Sequence, residues 1–403
     1  MSHDNRFGLF VHWGIYALTA LHEQAFARWN LSRDAYERLK DSFNPVNYNP
    51  EEWVLLAKNA GMKYICFTAK HHDGFCMWDT RLTDYSIMNT PCGKDVLRML
   101  AAACEKHGVS LSIYYSLPDW HHPDAFNPAS SHQWRALPSD GNRFDRYKEY
   151  VRGQIQELLT GYGPVYTLFW DIPPGMHDPS MNEFVRSLQP GILINNRGFD
   201  EGDFSTPERE SDENNAPTPY SHRTEACNSI DSLSWGYRED AAFYSYRHLL
   251  SSIDQVMARG GSYLLNIGPM ADGSLHPSHA ERIRRIGDWY TRMKGALECH
   301  EPDLFDYQLR GAGKYIAAKK NGKTYLHFFD GLMSSCVAFG QYPSLPKAVR
   351  LMNTGSPLPF CERKLPGFAD SKTGVISSER LCIHDIPVDE LAAEPIVIEI
   401  EWV

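Results

Sequence analysis

The apolar positions of this chain gather in short unbroken blocks, and several blocks stop abruptly at a cluster of polar side chains. Residues 64–75 are the sharpest case: Tyr64, Ile65, Cys66, Phe67 and Thr68 run into Lys70, His71, His72, Asp73 and Gly74. Strands of a parallel sheet are covered on both faces and read as continuous apolar runs, so this pattern predicts a buried strand with polar groups at its carboxyl end. Successive side chains on a strand point to opposite faces, so both histidines serve one pocket only where the strand ends or bends, and Gly74 supplies a bend. Comparable blocks predict strands at 7–13, 110–116, 166–171, 192–197 and 262–269. Between them, helical spacing recurs at 50–60, 95–107, 145–161, 181–188 and 244–259, and a closing helix at 278–297. Strand and helix alternating over so much chain predict a parallel sheet, and the length favours a (β/α)8-like TIM barrel over a three-layer sandwich. Residues 200–240 are polar, proline-bearing and aperiodic, which predicts loops over the pocket and leaves the sixth and seventh strands undefined.

Beyond residue 298 the texture changes. Short β-type runs at 314–318, 324–329, 348–352, 374–378 and 396–403 are separated by turn residues, with Asn321-Gly322 as a two-residue hairpin. The expected organisation is a catalytic barrel over 1–298 and an antiparallel β-sandwich over 299–403. The second domain reads more simply as a structural cap than as a carbohydrate-binding module.

The strand ends converge in character. They supply His12 with Trp13, then His71 with His72, then Tyr114 and Tyr115, then Phe169 with Trp170 and Asp171, and finally Asn195, Asn196 and Arg197. Neutral donors, acceptors and flat aromatic faces at the carboxyl ends of barrel strands describe a pocket suited to sugar hydroxyls. Composition narrows the partner. The net charge of −10, without a lysine-arginine run, argues against nucleic acid or an anionic membrane surface, and aromatic residues reach 12%. Nine cysteines without a Cys-x-x-Cys pair suggest neither a disulfide framework nor a zinc ribbon. No stretch of about 18 apolar residues occurs. The start passes into Arg6-Phe7-Gly8-Leu9-Phe10 without a basic-then-apolar leader, so the chain as given is expected in the cytoplasm, or in the periplasm or outside if a leader has been removed.

Asp171 is the most pointed residue, since an aspartate closing an apolar strand is costly unless paired or used. Pro173 and Pro174, two and three positions after it, disfavour a helix that it would cap. Glycoside hydrolysis needs a second carboxyl, and Glu208, Glu210, Glu213 and Glu225 in the long loop are the candidates. Two rivals stand beside this reading. A metal-dependent hydrolase would use His12, His71, His72, His121 and Asp171, but no His-x-His or helical His-x-x-x-His pair is present; a sugar-binding protein without catalysis would lack one of the carboxyls.

The motifs Phe7-Gly8-Leu9-Phe10-Val11-His12-Trp13-Gly14, Lys70-His71-His72-Asp73-Gly74-Phe75, Asp203-Phe204-Ser205-Thr206-Pro207-Glu208, Ser234-Trp235-Gly236-Tyr237 and Gly260-Gly261-Ser262-Tyr263-Leu264-Leu265-Asn266-Ile267-Gly268-Pro269 stand here in order. With them the chain resembles the α-L-fucosidases of glycoside hydrolase family 29 over essentially its whole length. The resemblance implies a barrel followed by a β-sandwich, no cofactor and no metal, and exo-hydrolysis of terminal α-L-fucose from fucosylated oligosaccharides or glycoconjugates. The implied course is retention through a fucosyl-enzyme intermediate; another fucose-like sugar such as galactose is the nearest alternative substrate. It further implies Asp171 as nucleophile, Glu208 as acid/base with Glu225 as the alternative, and sugar contacts at His12, Glu23, His71, His72, Tyr115, Phe169, Arg197 and Trp235. Phe169 stands where the family often has tryptophan, and the family's Glu-Trp pair becomes Glu23-Gln24, with Trp29 a nearby ring. Phe75 or Trp78 is expected against the methyl group of the deoxysugar.

Overall fold

The computed structural model describes residues 5–137, 143–209, 218–298, 301–370 and 374–403. Its first sheet has seven strands: β1 Phe7–Val11, β2 Tyr64–Lys70, β3 Ser110–Ser116, β4 Val165–Asp171, β5 Leu193–Ile194, β6 Glu225–Ser229 and β7 Ser262–Ile267, in the order β5-β4-β3-β2-β1-β7-β6. The pairs from β5 through to β7 are parallel. β1 and β2 are buried at every position, as their unbroken apolar runs require.

Helices α1 Pro50–Asn59, α2 Val96–His107, α3 Phe144–Gly161 and α4 Pro179–Leu188 alternate with the first strands, and α5 Tyr246–Ala258 and α6 Pro277–Leu297 follow. Local chemistry sets their starts. The Asn49 side chain accepts from the backbone of Glu51 and Glu52 ahead of a proline in the first turn, Asp95 caps Arg98 N at 2.9 Å, and Ser245 caps His248 N.

Within the stretch read as loop at 200–240, residues 203–209 and β6 are barrel wall instead. Asp203 N donates to Ile194 O (2.6 Å) and Asn196 N to Phe204 O on one side. On the other, Glu225 N donates to Ser205 O, Cys227 N to Pro207 O and Arg209 N to Cys227 O, at 2.8–3.0 Å. Residues 203–209 therefore act as an irregular eighth strand between β5 and β6. The polar composition of both segments hid them: β6 is Glu-Ala-Cys-Asn-Ser, yet every residue of it is buried. Glu210 and Glu213 lie outside the described residues.

Alternation along the strands then decides what faces inward. Phe10, Tyr64, Cys66, Tyr114, Phe169, Cys227 and Leu264 form one buried cluster inside the barrel. Trp170 and Tyr115 point outward, where Trp170 Nε1 donates to Asn182 on α4 and Tyr115 OH to Gln154 on α3 (2.6 Å).

The C-terminal part carries a five-stranded and a four-stranded sheet, mostly antiparallel pairs, around a core that includes Leu326, Phe328, Val337, Phe339, Leu381, Ile383 and Ile398. Its hairpin turns at Asn321 and Gly322, both with positive φ, as a type I′ turn demands. By contacts the chain divides into two compact units, and the second comprises residues 212–221, 245–262 and 288–403, so it takes α5 as well as the C-terminal sheets.

Candidate active site

The pocket opens at the carboxyl ends of the barrel strands. A cavity of about 100 Å3 is lined by Phe10, His12, Glu23, Gln24, His71, His72, Tyr114, His132, Phe169, Asp171, Ile172, Glu208 and Trp235. β2 ends at Lys70, so the next two residues leave the strand and both rings turn into one space, 4.1 Å apart. Gly74 makes the reversal at φ +79°; a Cβ there would meet Asp119 Oδ1 at 2.2 Å.

Asp171, the last residue of β4, sits between three partners. Tyr114 OH donates to its Oδ2 at 2.6 Å, Arg197 Nη1 to its Oδ1 at 3.2 Å, and His72 Nε2 stands 3.8 Å from Oδ2. Burial would raise this carboxyl, but Arg197, His72 and Tyr114 together hold it below the ordinary aspartate value. The following residue, Ile172, has φ +59°, a conformation that a β-branched side chain resists, so the chain is bent sharply where the carboxylate is presented.

Glu208 reaches the same guanidinium. Arg197 Nη1 also donates to Glu208 Oε1, and Arg197 Nη2 to Thr206 O at 2.5 Å. Two carboxylate oxygens bonded to one nitrogen lie no more than two hydrogen bonds apart, about 6 Å. The surrounding protein pushes the Glu208 carboxyl up, the charge on Asp171 adds to this and Arg197 opposes it. The side chain is still 42% exposed, so the lift comes from a concave site that remains open to solvent at its mouth. One carboxyl held low and its neighbour held high is the division that acid/base chemistry on a glycosidic bond requires.

The histidines are neutral. Burial pulls His12 and His72 down to about 4 and His71 well below its usual value, against the pull of Asp171 on the first two. Hydrogen-bond accounting also assigns their tautomers. The Ser116 hydroxyl donates to Pro118 O (2.7 Å), so it accepts from His72 Nδ1–H at 2.7 Å. Asn266 Nδ2 donates to Ser229 Oγ and Trp235 O, so its Oδ1 accepts from His12 Nδ1–H at 2.7 Å. The Nε2 atom of each ring is left as a hydrogen-bond acceptor, suited to a sugar hydroxyl. His71 Nδ1 is buried with no protein partner, a third imidazole position free for one.

Glu23 forms the opposite wall. Its Oε2 accepts from Ser234 Oγ (2.8 Å), Trp235 N (2.9 Å) and Gly236 N (3.1 Å), and these donors with His22 and His12 hold it below its usual value despite burial. Gly236 in turn lies under Gly268, where a Cβ would meet the backbone at 2.5 Å, so the loop bearing Trp235 is seated directly on the end of β7. Arg209, the residue after Glu208, stacks on the Trp235 ring at 4.9 Å and donates to Ser232 O.

Several expected residues stand elsewhere. Tyr115 is one residue out of phase: it faces α3, and Tyr114, paired in register with Phe169, is the tyrosine in the pocket. Glu225 is the first residue of β6 and so lies at the amino end of the barrel, where Tyr64 OH donates to it; the barrel interior separates it from Asp171, which excludes it as the acid/base. Trp29 is 48% exposed and does not line the cavity, whereas Gln24 does. Phe75 packs on Phe43 and Tyr85, and Trp78 bonds Glu157, so neither reaches the sugar space. Asp73 serves the bend, accepting from Tyr36 OH and Phe75 N. Among the described residues no three His, Cys, Asp or Glu side chains group as a metal-ligand set, and His121 bonds Glu37 instead.

Sequence reasoning missed Asn266 and His132 as site residues, and of the two tyrosines at the end of β3 it gave the sugar contact to Tyr115 instead of Tyr114. Asn266 had a signal, a lone polar residue in the run Leu264-Leu265-Asn266-Ile267; His132 had none, being a loop residue brought in by the tertiary fold.

Comparison with known proteins agrees with the geometry. The family model for alpha-L-fucosidase matches residues 2–295. Alpha-L-fucosidase isoenzyme 1 from Paenibacillus thiaminolyticus is 30% identical, with a TM-score of 0.80 covering 99% of this chain and 97% of that one. The tissue alpha-L-fucosidase of Rattus norvegicus is 28% identical over 393 residues, 87% of this chain and 80% of its own. An alpha-L-fucosidase from Bacteroides thetaiotaomicron, solved as a trapped covalent intermediate with 2-fluoro-fucosyl fluoride, shares the fold at a TM-score of 0.78 and 24% identity, covering 99% of this chain and 94% of that one. The chain belongs to the alpha-L-fucosidase family of glycoside hydrolases.

Proposed function

We propose that this protein hydrolyses terminal α-L-fucose from fucosylated glycans with retention, using Asp171 as nucleophile and Glu208 as acid/base. The observation that carries the proposal is the pair of carboxyls on Arg197, one pulled down and one pushed up. In the first step Asp171 Oδ attacks the anomeric carbon while protonated Glu208 gives its proton to the departing oxygen, so the glycosidic bond breaks as the ester forms. In the second, Glu208, now a carboxylate, takes a proton from water; that water attacks the anomeric carbon and Asp171 leaves. Retention needs carboxyls about 5–5.5 Å apart, which a shared guanidinium accommodates and an intervening water would not.

Binding falls to the neutral walls. The Nε2 atoms of His12 and His72 and the free face of His71 are acceptors or donors for hydroxyls, and Trp235 and Phe169 give apolar faces. Tyr114 and Arg197 keep the nucleophile ionised although it is buried, and aim it. The covalent intermediate captured in the Bacteroides thetaiotaomicron relative supports the two-step course.

The test is turnover of para-nitrophenyl α-L-fucoside against a panel of other aryl glycosides, with the anomer of the first product read by NMR. Fucoside selectivity and first-formed α-fucose are expected. Preference for a galactoside, or first-formed β-fucose, would refute the substrate or the mechanism respectively.

A further inference from the structure

We infer that Trp134 is the stacking platform for the sugar from which fucose is cleaved, and so sets the preference for glycan over small leaving groups. The inference rests on the fucosidase reading. Three observations carry it.

First, the catalytic cavity has space for one ring and not for a chain, so the second sugar of any substrate lies at the mouth. Second, a ladder of rings leads from the nucleophile to Trp134. His72, beside Asp171, is 5.2 Å from His132, which lines the cavity, and His132 is 4.7 Å from Trp134. Third, Trp134 is 58% exposed although its loop is tied down. Trp120 Nε1 donates to His132 O at 2.8 Å, and Arg135 Nη1 to Asn30 Oδ1 at 2.8 Å. A lone exposed tryptophan is ordinary; one flanked by these anchored residues, one ring beyond the pocket wall, presents a face where the next pyranose must pass.

The experiment compares the wild type, Trp134→Ala, Trp134→Gln and Trp134→Phe on α-L-fucosyl fluoride and on fucosyl disaccharides of different linkage. The fluoride leaving group is one atom and cannot reach Trp134. Trp134→Ala and Trp134→Gln are expected to lose about tenfold in kcat/KM on each disaccharide that the wild type cleaves, the size of one lost ring contact. On the fluoride they should stay within about twofold of wild type, and Trp134→Phe should recover most of the loss. An equal loss on both substrates, or none on the disaccharides, overturns the proposal. Wild-type turnover of the fluoride keeps the underlying fucosidase reading intact in either case.

Discussion

Glu225→Gln separates placement from chemistry in one substitution. Burial raises the Glu225 carboxyl to about 7, against the hydrogen bond from Tyr64, and its Oε1 is buried without a partner. The folded value thus lies above the ordinary glutamate value of about 4.3. The native state therefore holds a proton that the unfolded chain releases between about pH 4.3 and 7, and there stability falls as pH rises. Below that window the protonated carboxyl costs nothing through titration; above it the full penalty applies. The difference in pKa corresponds to roughly 4 kcal/mol in all, of which about 3 kcal/mol falls between pH 5 and pH 8. At about 2.1 cal/mol/K per residue over roughly 300 residues, this is about 5 °C in melting temperature. The assay is the melting temperature of wild type and variant from pH 5 to pH 8. Gln retains an oxygen for Tyr64 but does not titrate, so the variant should gain about 5 °C relative to wild type across that interval, with kcat unchanged at every pH. Parallel melting curves would refute the burial argument, and a collapse of kcat would refute the exclusion of Glu225 from the chemistry.

The other expectations concern the pocket itself. Glu208→Gln should lower kcat/KM on disaccharides by about 10²–10⁴-fold, with far less effect on fucosyl fluoride, whose departure needs no proton; equal loss on both would argue against Glu208 as the acid. Activity requires Asp171 ionised and Glu208 protonated. The profile of kcat/KM should therefore be a bell whose acid limb lies below the ordinary aspartate value and whose alkaline limb lies above the ordinary glutamate value, and the alkaline limb should vanish in Glu208→Gln. Tyr114→Phe removes a hydrogen bond to a charged carboxylate, about 1.5–3 kcal/mol, so kcat should fall about ten- to hundredfold. Tyr115→Phe should leave kinetics intact and cost about 1 kcal/mol of stability through Gln154.

How much of this was legible in the sequence follows from physical period. Apolar runs that break into His71, His72 or Asp171 announce both a buried strand and its polar end, so Asp171 and the two histidines that line the cavity were readable residue by residue. The phase of alternation was not: Tyr114 and Tyr115 are equally plausible until the register with Phe169 and Asp171 is known. The wall at 203–209 and β6 was invisible because its residues are polar and its pairing is non-local. Buried Glu225 looks like a solvated loop glutamate in composition and becomes a barrel residue only through contact with Tyr64, 161 positions away. His132 and Trp134 belong to a loop held by Trp120 at His132 O and by Asn30 and Arg33 at Arg135, which no local pattern joins.

The central claim is that Asp171 forms the bond to fucose. Incubation with 2-fluoro-fucosyl fluoride, proteolysis and mass spectrometry of the labelled peptide test it directly. One 2-fluoro-fucosyl adduct per chain, on Asp171, is expected, and none in Asp171→Asn, which should still bind fucose. An adduct on another carboxylate, or hydrolytic turnover by Asp171→Asn, would contradict it.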